Sequence, residues 1–243
     1  MEKLEIIIKA EELVKSAMKG NDASHDAAHA FRVRDLALSL AGEEGLSSSP
    51  DSLLTIELAA LLHDIGDYKY IRSVLSVLLG ARFVITVSIL RQDPSEGKIV
   101  EDFLVKENVD ENIRTKTLSI INGMGFKEEM DRLGGGNFSA EFGVVQDADR
   151  LDAIGAIGIA RCFTFGGNRN MVLHDPQIKP RSDLSKEKYM NKDHQTTVNH
   201  FHEKLLKLKD LMKTKAGQKR AERRHKFMEE FLLEFYEEWD GRA

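Results

Sequence analysis

The sequence predicts an all-α fold. Four prolines in 243 residues leave room for long helices. Apolar residues recur at the spacing of a helix face through most of the chain, and no alternating stretch runs far enough to suggest a sheet. No repeat period emerges. With 42% hydrophobic and 31% charged residues, the chain is long and apolar enough to bury a sizeable core.

Taken in order, Leu4, Ile7, Ile8, Leu13, Val14 and Met18 give residues 1–19 a helical stripe. Asp22 to Ser24 offer caps for a second helix from about His25 to Ala41, closed by Gly42 and Gly45. SSSPDS at 47–52 is a loop, with Asp51 or Ser52 capping a helix whose apolar run ends in His63-Asp64. Residues 96–107 and 109–122 read as helices, and LGGGN at 133–137 as a turn. A long helix rich in small residues follows from about Ser139 to Cys162, then a polar loop over 166–184. Helices over about 185–213 and 217–239 close the chain. Residues 73–90, SVLSVLLGARFVITVSIL, approach the length of a membrane span. Arg82 at their centre would cost about 2.5–3.5 kcal/mol on insertion, so the segment reads as a helix packed on the core or an interface.

Composition narrows the function classes. A formal net charge of -5 argues against bulk nucleic-acid binding. The single cysteine, Cys162, excludes an internal disulfide framework and suits a reducing compartment. The amphipathic, mixed-charge start MEKLEIIIKAEELVKSAMK resembles neither a secretory signal nor a transit peptide, so a cytoplasmic or nuclear setting is the default.

Four stretches place ionisable residues on otherwise apolar helices. SHDAAHAFRVRDLA (24–37) carries His25 and His29 four apart, with Arg32 one turn on. The second is His63-Asp64 with Asp67 three residues later. VVQDADRLDAIGAIGIAR (144–161) carries Asp147, Asp149 and Asp152, and TTVNHFHEKLLKLK (196–209) carries His200, His202, Glu203 and Lys204. Buried carboxylates need cations, protons or a metal nearby. Imidazoles and carboxylates without cysteine suit a borderline-to-hard divalent ion such as Mn²⁺, Fe²⁺, Co²⁺ or Mg²⁺. Each piece alone is commonplace; their conjunction on separate apolar helices is not.

The order His29, His63-Asp64, Asp149 resembles the HD-domain superfamily of metal-dependent phosphohydrolases. The wider blocks, AALLHDIGDYKY and NHFHEKLLKLKDLMKT among them, resemble its YpgQ-like nucleotide pyrophosphohydrolase branch along nearly the whole chain. The resemblance implies one HD-type helical bundle over residues 1–243, with the metal site between core helices. It implies that His29, His63, Asp64 and Asp149 ligate one divalent ion, best Mn²⁺, with Co²⁺, Fe²⁺, Mg²⁺ or Ni²⁺ as alternatives. Asp147 is the rival of Asp149, and periodicity does not choose between them. Asp67, together with Asp64, carries the catalytic role, Asp67 by orienting the attacking water. His25, Arg32, Arg150 and Lys204 are the candidates for holding substrate phosphates. The implied reaction is hydrolysis of (deoxy)nucleoside triphosphates to monophosphate and pyrophosphate. Monophosphate phosphatase, phosphodiesterase and a non-catalytic metal-stabilised module are the alternatives. A nucleotide or other small phosphorylated substrate is the implied partner, with no membrane or nucleic acid and with a homo-oligomer compatible. The sequence leaves the family pattern in one place: residues 73–92 have no evident counterpart and read as an insertion.

Overall fold

The structure, a computed structural model, describes residues 2–65, 96–124, 138–181 and 195–243. Asp67, the apolar segment 73–92, the turn at 133–137 and residues 185–194 lie outside the described residues. Among those described there is no strand, only an isolated parallel bridge between Val172 and Thr196. None of their helices is long and apolar enough to cross a membrane.

The helices are α1 (Glu2–Ala17), α2 (Ala27–Glu43), α3 (Pro50–Leu62), α4 (Glu96–Lys106), α5 (Glu111–Gly123), α6 (Ala140–Asp152), α7 (Gly155–Asn168), α8 (Asn199–Glu203) and α9 (Lys215–Trp239). Short 3₁₀ turns cover Leu46–Ser48 and Leu205–Leu211. α3 is the centre of the bundle. Its Leu54, Thr55, Ile56 and every residue from Leu58 to Leu62 are buried, so it is apolar all round. On one side Ile56, Ala59 and Ala60 pack against α2 and α6, in a buried cluster that includes Val33, Val145 and Leu151 and extends to Met228 of α9. The other packs Leu58, Leu61 and Leu62 against α1, α4 and α5 through Val14, Leu104 and Ile113. The chain therefore emerges at His63-Asp64 from a helix packed on both sides, with the His63 side chain 3% and the Asp64 side chain 20% exposed.

Caps set the helix starts, and two differ from expectation. α2 begins at Ala27, because the Asp26 carboxylate accepts from the His29 N–H at 3.2 Å; His25 stands in the preceding turn, not on the helix. α3 is capped by Ser49, which accepts from the Ser52 N–H at 3.2 Å, with Pro50 at the first helical position. The cap sits ahead of Asp51 and Ser52 because proline's missing N–H leaves nothing to satisfy there.

The long helix expected from Ser139 to Cys162 is two helices. Ile154 is extended and Gly155 takes φ +75°, which ends α6 and starts α7 in a new direction. The glycine serves two ends: a left-handed residue is costly with a Cβ, and a Cβ here would meet Cγ of Arg224 at 2.9 Å. The helix expected over 185–213 is also interrupted. Its described part holds only α8 and the 3₁₀ turn, broken at Lys204 (φ -134°, ψ -57°). Upstream, Thr197 and Val198 donate to the carbonyls of Val172 and Leu173 at 2.8 and 3.1 Å, so the chain there is tied to the preceding segment instead of coiling.

Candidate metal centre

Three helix ends converge beside α3. His29 lies in the first turn of α2, 1% exposed, on the same buried face as Ala30 and Val33. His63 and Asp64 follow directly from α3, and Asp149 sits in the last turn of α6. His29 Nε2 lies 3.3 Å from Asp64 Oδ2 and 3.5 Å from Asp149 Oδ1. His63 Nε2 lies 3.5 Å from Asp64 Oδ1 and 3.7 Å from Asp149 Oδ1. The His29 and His63 rings meet edge to face with centroids 5.2 Å apart.

The ring nitrogens facing away from this centre are held. His63 Nδ1 contacts the Ala60 carbonyl at 2.9 Å, and His29 Nδ1 contacts Asp152 Oδ2 at 2.8 Å. Anchored at Nδ1, each imidazole turns Nε2 inward, which is how metal-ligating histidines are oriented. Asp152 is itself fixed. It receives the fork of Arg32 (Nε to Oδ1 2.8 Å, Nη2 to Oδ2 3.0 Å) and Arg161 Nη1 at 3.0 Å.

Electrostatics at the centre call for a cation. Burial opposes ionisation of Asp64 and Asp149, yet the facing imidazoles hold Asp64 well below the usual carboxylate range and bring Asp149 to about 2. Burial also disfavours charge on His63, but Asp64 and Asp149 outweigh it and carry His63 up to about 9. Among the described residues, His63 Nε2 is buried without a hydrogen-bond partner. A buried donor or acceptor left unmatched is costly, and two imidazole nitrogens facing carboxylate oxygens form a donor set for a divalent ion. His29, His63 and Asp64 each offer a ligand atom, all within 4.8 Å of one another. The residues present fit a metal.

A model of the HD domain family matches residues 26–154, a span that begins just before His29 and ends just after Asp149. The chain belongs to the HD family. It is 33% identical to YpgQ of Bacillus subtilis over 94% of this chain and 91% of YpgQ. Among solved structures it is similar to an HD-superfamily hydrolase from Bacillus thuringiensis, with 36% identity, 98% of each chain covered and a TM-score of 0.66. Bacillus subtilis YpgQ in complex with ADP matches with 30% identity, 98% of this chain and 97% of YpgQ covered, and a TM-score of 0.66. The HD fold is all-helical, as the sequence predicts.

The structure separates the two aspartates that periodicity could not. Asp147 is fully buried on another face of α6 and accepts from the N–H groups of Lys213 and Thr214 at 2.9 and 2.8 Å and from Thr214 Oγ1 at 2.7 Å. Its part is to hold the start of α9, while Asp149 faces the histidines. The phosphate candidates scatter. His25 stays near, its ring 5.9 Å from that of His29, with Nδ1 2.7 Å from Ser24 Oγ. Burial and the Arg161 charge push it down to about 3, so it is neutral at neutral pH. Arg32 is committed to Asp152, on the Nδ1 side of His29. Arg150 is buried and donates to the Leu211 carbonyl, an engagement that ties the 3₁₀ turn to α6. It is structural where a phosphate contact was expected, because position 150 faces the core. Lys204 closes α8 next to His200, whose proton affinity its charge helps depress.

In the sequence Asp152 stands out only as one more ionisable residue on its helix, and Arg161 does not stand out at all. The one available signal was Asp152's position three residues after Asp149, on an adjoining face of the same helix. Arg161 carried none. Nine residues along a continuous helix would set it about 13.5 Å away on the opposite face; the break at Ile154-Gly155 turns α7 back so that it reaches Asp152.

Proposed function

We propose that this HD protein is a divalent-metal-dependent phosphohydrolase acting on nucleotides, most specifically one that splits (deoxy)nucleoside triphosphates into monophosphate and pyrophosphate. The observation that carries the reading is the convergence of His29 Nε2, His63 Nε2, Asp64 and Asp149, with His63 Nε2 buried and without a hydrogen-bond partner among the described residues. His29, His63, Asp64 and Asp149 would hold the ion. Bound there, a divalent ion supplies a Lewis acid for a phosphoryl oxygen and water acidified toward neutral pH. The chain's own groups do the remaining work. The Asp152–His29 and Ala60–His63 contacts keep both Nε2 atoms aimed at the centre and fix the tautomers. Asp67 keeps the role that the family resemblance implies, orienting the attacking water and taking its proton. His25, neutral beside His29, would donate or accept at a phosphate oxygen. The choice of nucleotide is supported by kinship with YpgQ, a protein solved in complex with ADP. Mn²⁺ is the ion that the family resemblance favours among the candidates.

The test is a screen of the purified chain with Mn²⁺, Co²⁺, Mg²⁺ and Ni²⁺ against nucleoside mono-, di- and triphosphates, reading phosphate and pyrophosphate separately. Pyrophosphate release from triphosphates that disappears in His63→Ala and Asp64→Ala is the expected result. Phosphate release from monophosphates alone would move the assignment to a nucleotidase, and no release with any metal would favour a non-catalytic module.

A further inference from the structure

A groove of about 320 Å³ lies behind His29, between α2, α7 and α9. Arg32, Arg220 and Arg224 line it, with Ser39 and Ile157 on its walls and Asp152 among its lining residues. It is distinct from the metal centre: Asp152 meets Nδ1 of His29, whereas the ligand-bearing side is Nε2.

The charges in the groove do not balance. Asp152 is one carboxylate shared between two guanidiniums, Arg32 and Arg161, and the His29 ring. Arg220 spends one nitrogen on Ser39 Oγ, at 2.7 Å, and on Glu43 at the rim. Asp35, also at the edge, is paired with Arg34 at 2.8 Å. Arg224 is left with a hydrogen bond to the Leu151 carbonyl, and among the described residues no carboxylate lies within ion-pair distance of it. Its stem lies flat on Gly155, where the missing Cβ makes room, so the guanidinium is placed by the fold and does not range through solvent. Burial, with the neighbouring charges of Arg220 and Arg223, pulls its proton affinity down. Arg224 and Arg220, planar donors side by side on one concave wall, suit the oxygens of a tetrahedral anion.

We propose that this groove binds a phosphate-bearing anion, either free pyrophosphate or the phosphate tail of a nucleotide, through Arg224 and Arg220. The test is calorimetric titration of inorganic pyrophosphate, and separately of ADP, into the full chain stripped of metal. It stands apart from the hydrolase reading because nothing is turned over. The wild type should bind one anion per chain. Arg224→Gln should weaken it at least about tenfold, the loss of one charged hydrogen-bonding partner. Ile157→Glu sets a carboxylate on the wall at a position already 45% exposed, which the fold tolerates, and should weaken binding as much by repulsion. Tighter binding of pyrophosphate, lost in both variants, assigns the groove to the free anion; tighter binding of ADP, lost in both, assigns it to a nucleotide tail. No binding of either probe, or binding unchanged in Ile157→Glu, overturns the proposal.

Discussion

Asp152 stands between the metal centre and the basic groove, buried and bonded to His29, Arg32 and Arg161. An amide in its place would keep the shape and lose the charge. Asp152→Asn should therefore weaken divalent-ion binding about 10- to 100-fold, the usual effect of removing a carboxylate behind a ligating histidine, as read by equilibrium dialysis. It should also cost about 3 kcal/mol in urea unfolding, the lower end for a broken buried pair, since Arg32 is a third exposed. Asp147→Asn should destabilise the start of α9 and leave the ion affinity of the folded protein unchanged. The pH dependence has a definite sign. Burial works against the Asp152 charge, but His29, Arg32 and Arg161 hold its folded proton affinity well below the unfolded value of 3.8. Its stabilisation is complete above about pH 4 and is lost as pH falls below that. Acid unfolding should thus be shallower in Asp152→Asn than in the wild type. The centre was legible in sequence because ionisable residues stand out on apolar helices. Asp152's role was not, because it depends on an arginine that only a backbone turn brings within reach.

The break at Ile154-Gly155 decides more about the site than any single helix. α6 must stop there for Asp149 to stand in its last turn and for α7 to return Arg161 to Asp152. Gly155→Ala should cost about 1–2 kcal/mol for the left-handed backbone. A further 1 kcal/mol or so should follow as Arg224 is displaced and its bond to the Leu151 carbonyl is lost. Gly20, at φ +92° with nothing within 4 Å of a would-be Cβ, provides the comparison. Gly20→Ala should show the backbone cost alone, and equal losses at both positions would refute the role given to the Arg224 contact. Sequence periodicity ran straight through this break. Small apolar residues continue on both sides of it, and glycine is ambiguous between a helix interior and a left-handed stop. The same limit applies to residues 195–211, where helical spacing was read correctly but the chain is held by Thr196–Val172 pairing and coils only in short pieces.

At the scale of the molecule, α3 carries the design. Buried over most of its surface, it delivers His63 and Asp64 to the place where α2 begins and α6 ends. A helix apolar all round was legible as the core of an all-α protein; which helix ends met it was not, because that depends on packing between segments far apart in sequence. The segment 73–92 lies outside the described residues, and our proposal remains that it is an insertion into one HD domain spanning the chain. Deleting it should improve solubility while retaining metal-dependent hydrolysis; equal or worse behaviour of the deletion would count against an insertion. The proposed chemistry depends on a single ion held by His29, His63, Asp64 and Asp149. Metal content per chain, measured by mass spectrometry after Mn²⁺ loading and exhaustive dialysis, tests it most directly. One ion in the wild type and essentially none in His63→Ala and Asp64→Ala is the predicted result. Full retention in either variant would contradict it.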